Sequence, residues 1–355
     1  MSRLNLIYKG EIAMEQKKLT KGKLLNVFGN LDDVGYATSL VRDYARDEIK
    51  AGKMRIKEWD YYFIGNNFYG IALTIADNSY MGMGSISVLD FRDGFWKTKS
   101  AMTFFPMGKT NLPASSTIGD CHFKKGNMEI SFFNDGTKRR LLAKMKNYLP
   151  GQDFNCDIIL KDEPEDSMVI ATPFFKKKHF YYNQKINCLK ADGQASLGDK
   201  IYNFKTDDSF GVLDWGRGVW TYKNTWYWAS LSGKVNGVPI GFNLGYGFGD
   251  TKNATENMIF FDGKAYKTEQ VTFRIPTDAQ GKEIFMNEWQ FTSSDKRVEL
   301  KFKPILDRHD DTNLLVLKSL QHQVFGRFSG TLICGEKTII IKNMLGFAEK
   351  VHNCW

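Results

Sequence analysis

The stretch YYFIGNNFYGIAL, residues 61–73, sets two runs of aromatic and aliphatic side chains on either side of Gly65-Asn66. Tight hairpin loops need positive φ, which Gly and Asn adopt at little cost, so this stretch predicts two antiparallel strands joined by a turn. The signal recurs outward along the chain. Asp93-Gly94, Asp135-Gly136, Asp192-Gly193, Asn236-Gly237 and Asp262-Gly263 all fall between segments rich in β-branched and aromatic residues. Inside those segments the period is two. In RVELKFKPI (297–305), Val298, Leu300 and Phe302 face one way and Glu299, Lys301 and Lys303 the other, and Met128, Ile130 and Phe132 repeat the pattern. That alternation marks strands wet on one face. Only TSLVRDYARDEIKAG (38–52) has helical spacing, with Leu40, Val41, Tyr44 and Ile49 on one face and Gly52 as a stop.

Strands at this density with almost no helix predict an all-β fold of antiparallel barrels rather than βαβ units. The 355 residues exceed the size at which a single core stops growing, which predicts two units. Longer loops are expected at PGQDFN (150–155), KDEPEDS (161–167) and DRHDDTN (307–313). The expected division is an N-terminal arm over 1–30, a first barrel over 31–195 and a second over 196–355.

Composition narrows the functional classes. With 42% hydrophobic and 14% aromatic residues the chain can build a large core and is not disordered. The net charge is +9, but the lysines are spread, and the densest run, Lys176-Lys177-Lys178, reads as a solvated face; no nucleic-acid partner is expected. No run reaches the roughly 18 apolar residues of a membrane span, and the first residues lack a leader pattern, so the reading is a cytoplasmic protein without a membrane span. The cysteines at 121, 156, 188, 334 and 354 are odd in number and scattered, with no metal-ligand spacing. They read as reduced and buried, and neither metal nor cofactor is predicted. The oligomeric state is not legible.

Three apparent motifs dissolve on inspection. Met107-Gly108-Lys109-Thr110 ends like a phosphate loop, but position 103 is Thr where that loop needs Gly. Gly245, Gly247 and Gly249 lack the dinucleotide spacing and suit barrel corners. Asp310 and Asp311 are adjacent acids in a polar segment and read as solvated.

One stretch resists a bland reading. DWGRGVWTYKNTWYW (214–228) holds four of the eight tryptophans with Asp214 and Arg217. A carboxylate entering an apolar segment must be paired or hold its proton. Three readings follow: an Asp214–Arg217 ion pair, with Gly216 and Gly218 permitting a bulge that brings them to one face, a cavity acid at the polar end of an aromatic wall, or an acid that merely reaches the surface. His179 in KHFYYNQK is a core histidine or a functional one. Glu288-Trp289 repeats the pairing of acid and tryptophan.

The segments KEWDYYFIGNNFYGIALTIADNSYMG (57–82), HFYYNQKINC (179–188), DWGRGVWTYKNTWYWASLSG (214–233), IGFNLGYGF (240–248) and LGFAEKVHNCW (345–355) resemble the bacterial family called domain of unknown function 2804. More remotely, the order Tyr181-Tyr182, Gly193, Asp214-Trp215 is similar to tandem lipocalin-like proteins such as hydroxyneurosporene synthase, tocopherol cyclase and fungal Diels–Alder cyclases. That resemblance implies two packed barrels around an isoprenoid- or polyene-like ligand and, in some members, acid catalysis. Those proteins carry the acid in a Trp-x-Asp pattern, whereas here position 212 is Val and Trp215 follows Asp214.

Together these readings nominate Asp214, Arg217 and His179 as catalytic candidates. Trp215, Trp220, Trp226, Trp228, Tyr182, Asn243, Glu288 and Trp289 are the candidate ligand wall. Binding of a small hydrophobic molecule is the first expectation. A cofactor-independent lyase, isomerase or cyclase with Asp214 as proton donor, and a structural protein with a filled core, remain the alternatives.

Overall fold

The computed structural model describes residues 15–314 and 317–354. Two antiparallel sheets, each curled almost into a barrel, account for nearly all of it, as the alternation and turn chemistry predict. The first runs in the order Phe95–Phe104, Met81–Asp90, Tyr69–Asp77, Ile56–Gly65, Phe210–Val219, Phe180–Leu197, Gln152–Lys161, Arg139–Leu149, Met128–Asn134, Cys121–Lys125. The second runs Lys264–Lys267, Met258–Phe261, Val238–Tyr246, Lys223–Val235, Lys337–Cys354, Leu317–Cys334, Val298–Leu314, Trp289–Ser293, Val271–Arg274. The chain crosses from one sheet to the other between Val219 and Lys223, whereas position 195/196 lies inside the long Phe180–Leu197 strand. Residues 1–14 of the expected N-terminal arm lie outside the described residues.

The opening hairpin forms as its sequence requires. Asn66 donates its backbone N–H to the Tyr69 carbonyl at 3.0 Å, and its side-chain oxygen accepts from the N–H groups of Phe68 (2.9 Å) and Tyr69 (3.1 Å). Asx capping of this kind makes the turn self-sufficient.

Each barrel is filled by its own inward face. Leu73, Ile86, Phe154, Tyr182, Leu213 and Trp215 lie within the first, and Phe242, Trp289, Phe291, Phe302 and Phe328 within the second. Each also carries a buried outward face, and there the two sheets pack together. Phe63 meets Phe325 and Phe347 at ring distances of 5.1 and 5.7 Å, and Tyr181 meets Phe248 at 4.8 Å. A bulge in Phe180–Leu197 reinforces the junction. Between Ile186 and Leu189 the register slips, and Asn187 reaches Ser230 Oγ (2.8 Å) and the Phe242 carbonyl (3.1 Å) of the second sheet.

Two expectations fail. The segment 38–52 contains no α-helix; it holds the short strand Arg42–Asp43 and a 3-10 turn, Arg46–Glu48. Tertiary contacts override the spacing, because Arg42 is buried and ion-paired with Asp33 at 2.6 Å while Tyr44 and Ile49 join the first core. DRHDDTN is no loop but part of the Val298–Leu314 strand, whose polar residues extend a hairpin arm. Met107-Gly108-Lys109-Thr110 is a turn tied to the end of the Tyr69–Asp77 strand: Asp77 accepts from the Gly108 N–H and the Thr110 hydroxyl, both at 2.9 Å.

Candidate functional site at the junction of the two barrels

Phe210–Val219 pairs without interruption with Ile56–Gly65, from Phe210 opposite Gly65 to Val219 opposite Ile56. Its side chains therefore alternate strictly, and Asp214 and Arg217, three residues apart, point to opposite sides. The expected pair does not form. Arg217 enters the first barrel, fully buried, with Nη1 2.9 Å from Asp60 Oδ1 and its guanidinium 4.3 Å from the Trp215 ring. It also donates to the carbonyls of Trp59 (2.8 Å) and Pro113 (2.7 Å). The glycines permit close packing, not a bulge. A Cβ at Gly216 would lie 2.0 Å from the Trp59 indole, and one at Gly218 would lie 2.3 Å from the Phe180 carbonyl oxygen.

Asp214 turns into the junction. Its Oδ2 lies 3.0 Å from Lys185 Nζ, and its Oδ1 accepts from Asn183 Nδ2 at 2.6 Å. Lys185 lies opposite Asp214 across the strand pair and is itself buried. Its ammonium sits 3.8 Å from the Trp228 ring centre, a cation–π contact supplied by the second barrel.

The second barrel closes the site with two further carboxyls. Glu349 Oε1 accepts from Trp226 Nε1 at 2.8 Å, and its Oε2 accepts from Gln323 Nε2 at 3.0 Å. Asn243 accepts from Trp228 Nε1 at 2.6 Å and donates to Glu256 Oε2 at 3.3 Å. Burial pushes Glu349 up to about 7, against the pull of the Trp226 hydrogen bond and of Lys185. Burial raises Glu256 as well, opposed chiefly by Lys185; the charge of Asp214 adds to both rises. Lys185 thus acts on three carboxyls, helped by Lys267 at Glu256 and by Arg308 at Glu349, and one of the three is poised to hold or release a proton near neutrality.

Aromatic walls flank this polar centre on both sides. Towards one end Trp59, Trp220 and Trp226 stack at 5.1 and 6.2 Å, with the Phe248 edge at 4.8 Å from Trp220 and 5.4 Å from Trp226. Towards the other a cleft of about 310 Å³ opens between the barrels, lined among others by Phe63, Val212, Ser230, Lys234 and Phe347. Asp214, Trp228 and Glu349 each lie two residues from a lining residue on the same strand face, which is about 7 Å along each strand. Val212, Ser230 and Phe347 therefore stand between the cleft and the polar centre.

The remaining candidates separate by strand parity. Trp226, Trp228 and Asn243 line the junction, and Trp220 belongs to its aromatic stack. Trp215 and Tyr182 point into the first core, where Tyr182 Oη donates to the Arg42 carbonyl at 2.9 Å. Trp289 points into the second core, its Nε1 donating to the Phe285 carbonyl at 2.8 Å. Glu288 is exposed on that barrel's surface. His179 holds a turn, with Nδ1 3.0 Å from the Lys177 carbonyl oxygen, and burial lowers its pKa. Sequence reading missed Asn183, Lys185, Glu256, Gln323 and Glu349. For three of these a signal was present: in HFYYNQKINC, Asn183 and Lys185 share a strand face with Tyr181, and in LGFAEKVHNCW, Glu349 shares one with Phe347.

A sequence profile described as "Domain of unknown function (DUF2804)" matches residues 15–355. The chain belongs to that family. As a DUF2804 protein it has no match among curated proteins. Solved structures do resemble it. The crystal structure of a protein assigned as AttH from Nitrosomonas europaea aligns with a TM-score of 0.53 at 11% identity, covering 87% of this chain and 96% of that one. Kievitone hydratase from Nectria haematococca aligns with a TM-score of 0.47 at 11% identity, covering 95% and 98%. The first likeness establishes a shared fold for this DUF2804 chain.

Proposed function

We propose that the protein binds a small, largely apolar molecule between its barrels and moves protons on it, as a cofactor-independent lyase or isomerase. The observation that carries this reading is Glu349, a carboxyl buried between Trp226 and Gln323 with a pKa of about 7, beside the Asp214–Lys185 ion pair. Burying three carboxyls around Lys185 costs stability, and such arrangements concentrate where proton transfer is needed. Glu349 is the proton donor or acceptor in this reading. Asp214, engaged by Lys185 and Asn183, positions Lys185 and supplies fixed negative charge, a change from the proton-donor role expected of it. Trp226 and Trp228 wall the ligand, and the cleft falls in the range of small-molecule pockets. An isoprenoid- or polyene-like ligand, a lipocalin-like ancestry and a cytoplasmic location belong to the same proposal. The remote sequence resemblance supports the first two, and five unpaired buried cysteines support the third.

Native mass spectrometry of the protein purified from its own host tests the reading. A retained small molecule that wild type isomerises or changes by the elements of water, and that Glu349→Gln binds but leaves unchanged, supports it. A molecule held unaltered by both proteins makes this a carrier, the reading favoured by the full engagement of Asp214. No retained molecule overturns both.

A further inference from the structure

Two loops at one end of the junction place large apolar side chains in water. Val27 is 76% exposed and Phe28 70%, at the tip of the turn 26–30, and Phe175 is 89% exposed in the turn 174–178. These tips belong to one surface. The Lys178 N–H donates to Asn30 Oδ1 at 2.8 Å, and Lys50 Nζ donates to the Val27 carbonyl, tying the two turns and the 50–52 segment together. Lys50, Lys176, Lys177 and Lys178 surround the tips, all exposed. Of the nearby acids, Asp32 pairs with Arg42 at 2.9 Å, Glu48 with Lys23 at 2.6 Å, and Asp250 lies 3.9 Å from Lys252, while Asp43 and Asp47 are exposed on the 42–50 segment.

We infer that this surface docks on an anionic lipid bilayer. Exposed aromatic and aliphatic tips ringed by lysine match an interface in which apolar groups sink below the headgroups and ammonium groups meet lipid phosphates. Nucleic acid would engage the lysines, but it offers no apolar layer for Val27. The position of the surface extends the functional proposal, on which this clause alone rests. Phe174, next to Phe175, packs edge-on to Phe248 at 5.2 Å, and Phe248 touches Trp226, whose indole holds Glu349. A run of rings thus joins the docking tips to the polar centre, so an apolar ligand drawn from the bilayer meets aromatic surface all the way.

Co-sedimentation with vesicles tests the docking without any ligand or turnover, so it can fail while the site reading stands, and the reverse. The full chain is expected to sediment with phosphatidylcholine–phosphatidylglycerol vesicles at low salt and to stay in solution with pure phosphatidylcholine. Phe28→Ser with Phe175→Ser should weaken binding at least tenfold. Replacing Lys176, Lys177 and Lys178 by Gln should weaken it by roughly fivefold per lysine. Ile340→Ser, exposed on the second barrel, should change nothing. Unchanged melting curves establish that the variants fold. Wild type left in solution with the anionic vesicles overturns the inference, as do loop variants that sediment like wild type. Lysine-dependent binding to RNA or DNA without vesicle binding would make nucleic acid the partner instead.

Discussion

In the unfolded chain Glu349 titrates at its ordinary 4.5, and in the folded protein burial holds it at about 7. Between those values the folded state binds a proton that the unfolded state has released, so the contribution of Glu349 to stability falls as pH rises through this window and levels off above it. The difference is on the order of 3 kcal/mol, a large share of a domain's roughly 5–15 kcal/mol. In denaturant titrations the stability of wild type relative to Glu349→Gln should fall from pH 4.5 to about pH 7, with buried Lys57 and Lys267, held at about 6 and 7, acting equally on both proteins. A wild-type–variant difference that does not change with pH would remove Glu349 as a titrating group. The neighbouring ion pair responds differently. Asp214→Asn leaves Lys185 buried without its carboxylate and should cost about 3–5 kcal/mol, and Asp214→Asn with Lys185→Met should recover part of it through coupling. Asp214→Asn combined with Arg217→Met should simply add, because a sheet separates them. Coupling in the second pair and none in the first would contradict the strand parity.

At the scale of elements, parity decides what each tryptophan does. Trp215 fills the first core against Tyr44 and Tyr182, so Trp215→Ala should cost about 3–5 kcal/mol. Trp226 is only half buried at the junction, and Trp226→Ala should cost less stability while abolishing retention of any junction ligand, read by thermal melts beside native mass spectrometry. Equal unfolding by both would make the junction wall ordinary core. The strands were legible because alternation and Asx-Gly or Gly-Asn turns are local signals. Half of the site was legible for the same reason: Trp226, Trp228, Asn243 and Asp214 stood out as aromatic or polar residues within strands. Their partners did not stand out, since Lys185, Glu256 and Glu349 come together only when two sheets far apart in sequence pack face to face. The Asp214–Arg217 pairing failed because it needed a bulge, and Gly216 instead makes room for Trp59. The helix expected over 38–52 failed because buried Arg42 found carboxylates to pair with, which spacing cannot reveal.

At the scale of the molecule, the junction makes one unit of two barrels. Phe210–Val219 is buried along its entire length, its inward residues in the first core and its outward ones against the second sheet. Severed from its partner, the first barrel would expose Tyr61, Phe63, Tyr181 and Val212, and the second would expose Trp228, Phe325 and Phe347, contiguous apolar faces larger than soluble monomers ordinarily carry. The same cut would part Glu349 and Glu256 from Lys185, leaving them only Arg308 and Lys267 in their own half. Asn187 would lose its acceptors on Ser230 and Phe242. Each loss falls on a group already desolvated at the junction, so the halves should not behave as autonomous domains. Fragments 1–220 and 221–355, expressed separately, are therefore expected to aggregate or lack a cooperative melt, whereas co-expression should restore a soluble complex that elutes at the size of the intact chain. Either fragment folding alone, monomeric and with a sharp thermal transition, would show that each outward face is stable in water. The buried charges between the barrels would then belong to a docking interface that forms after folding.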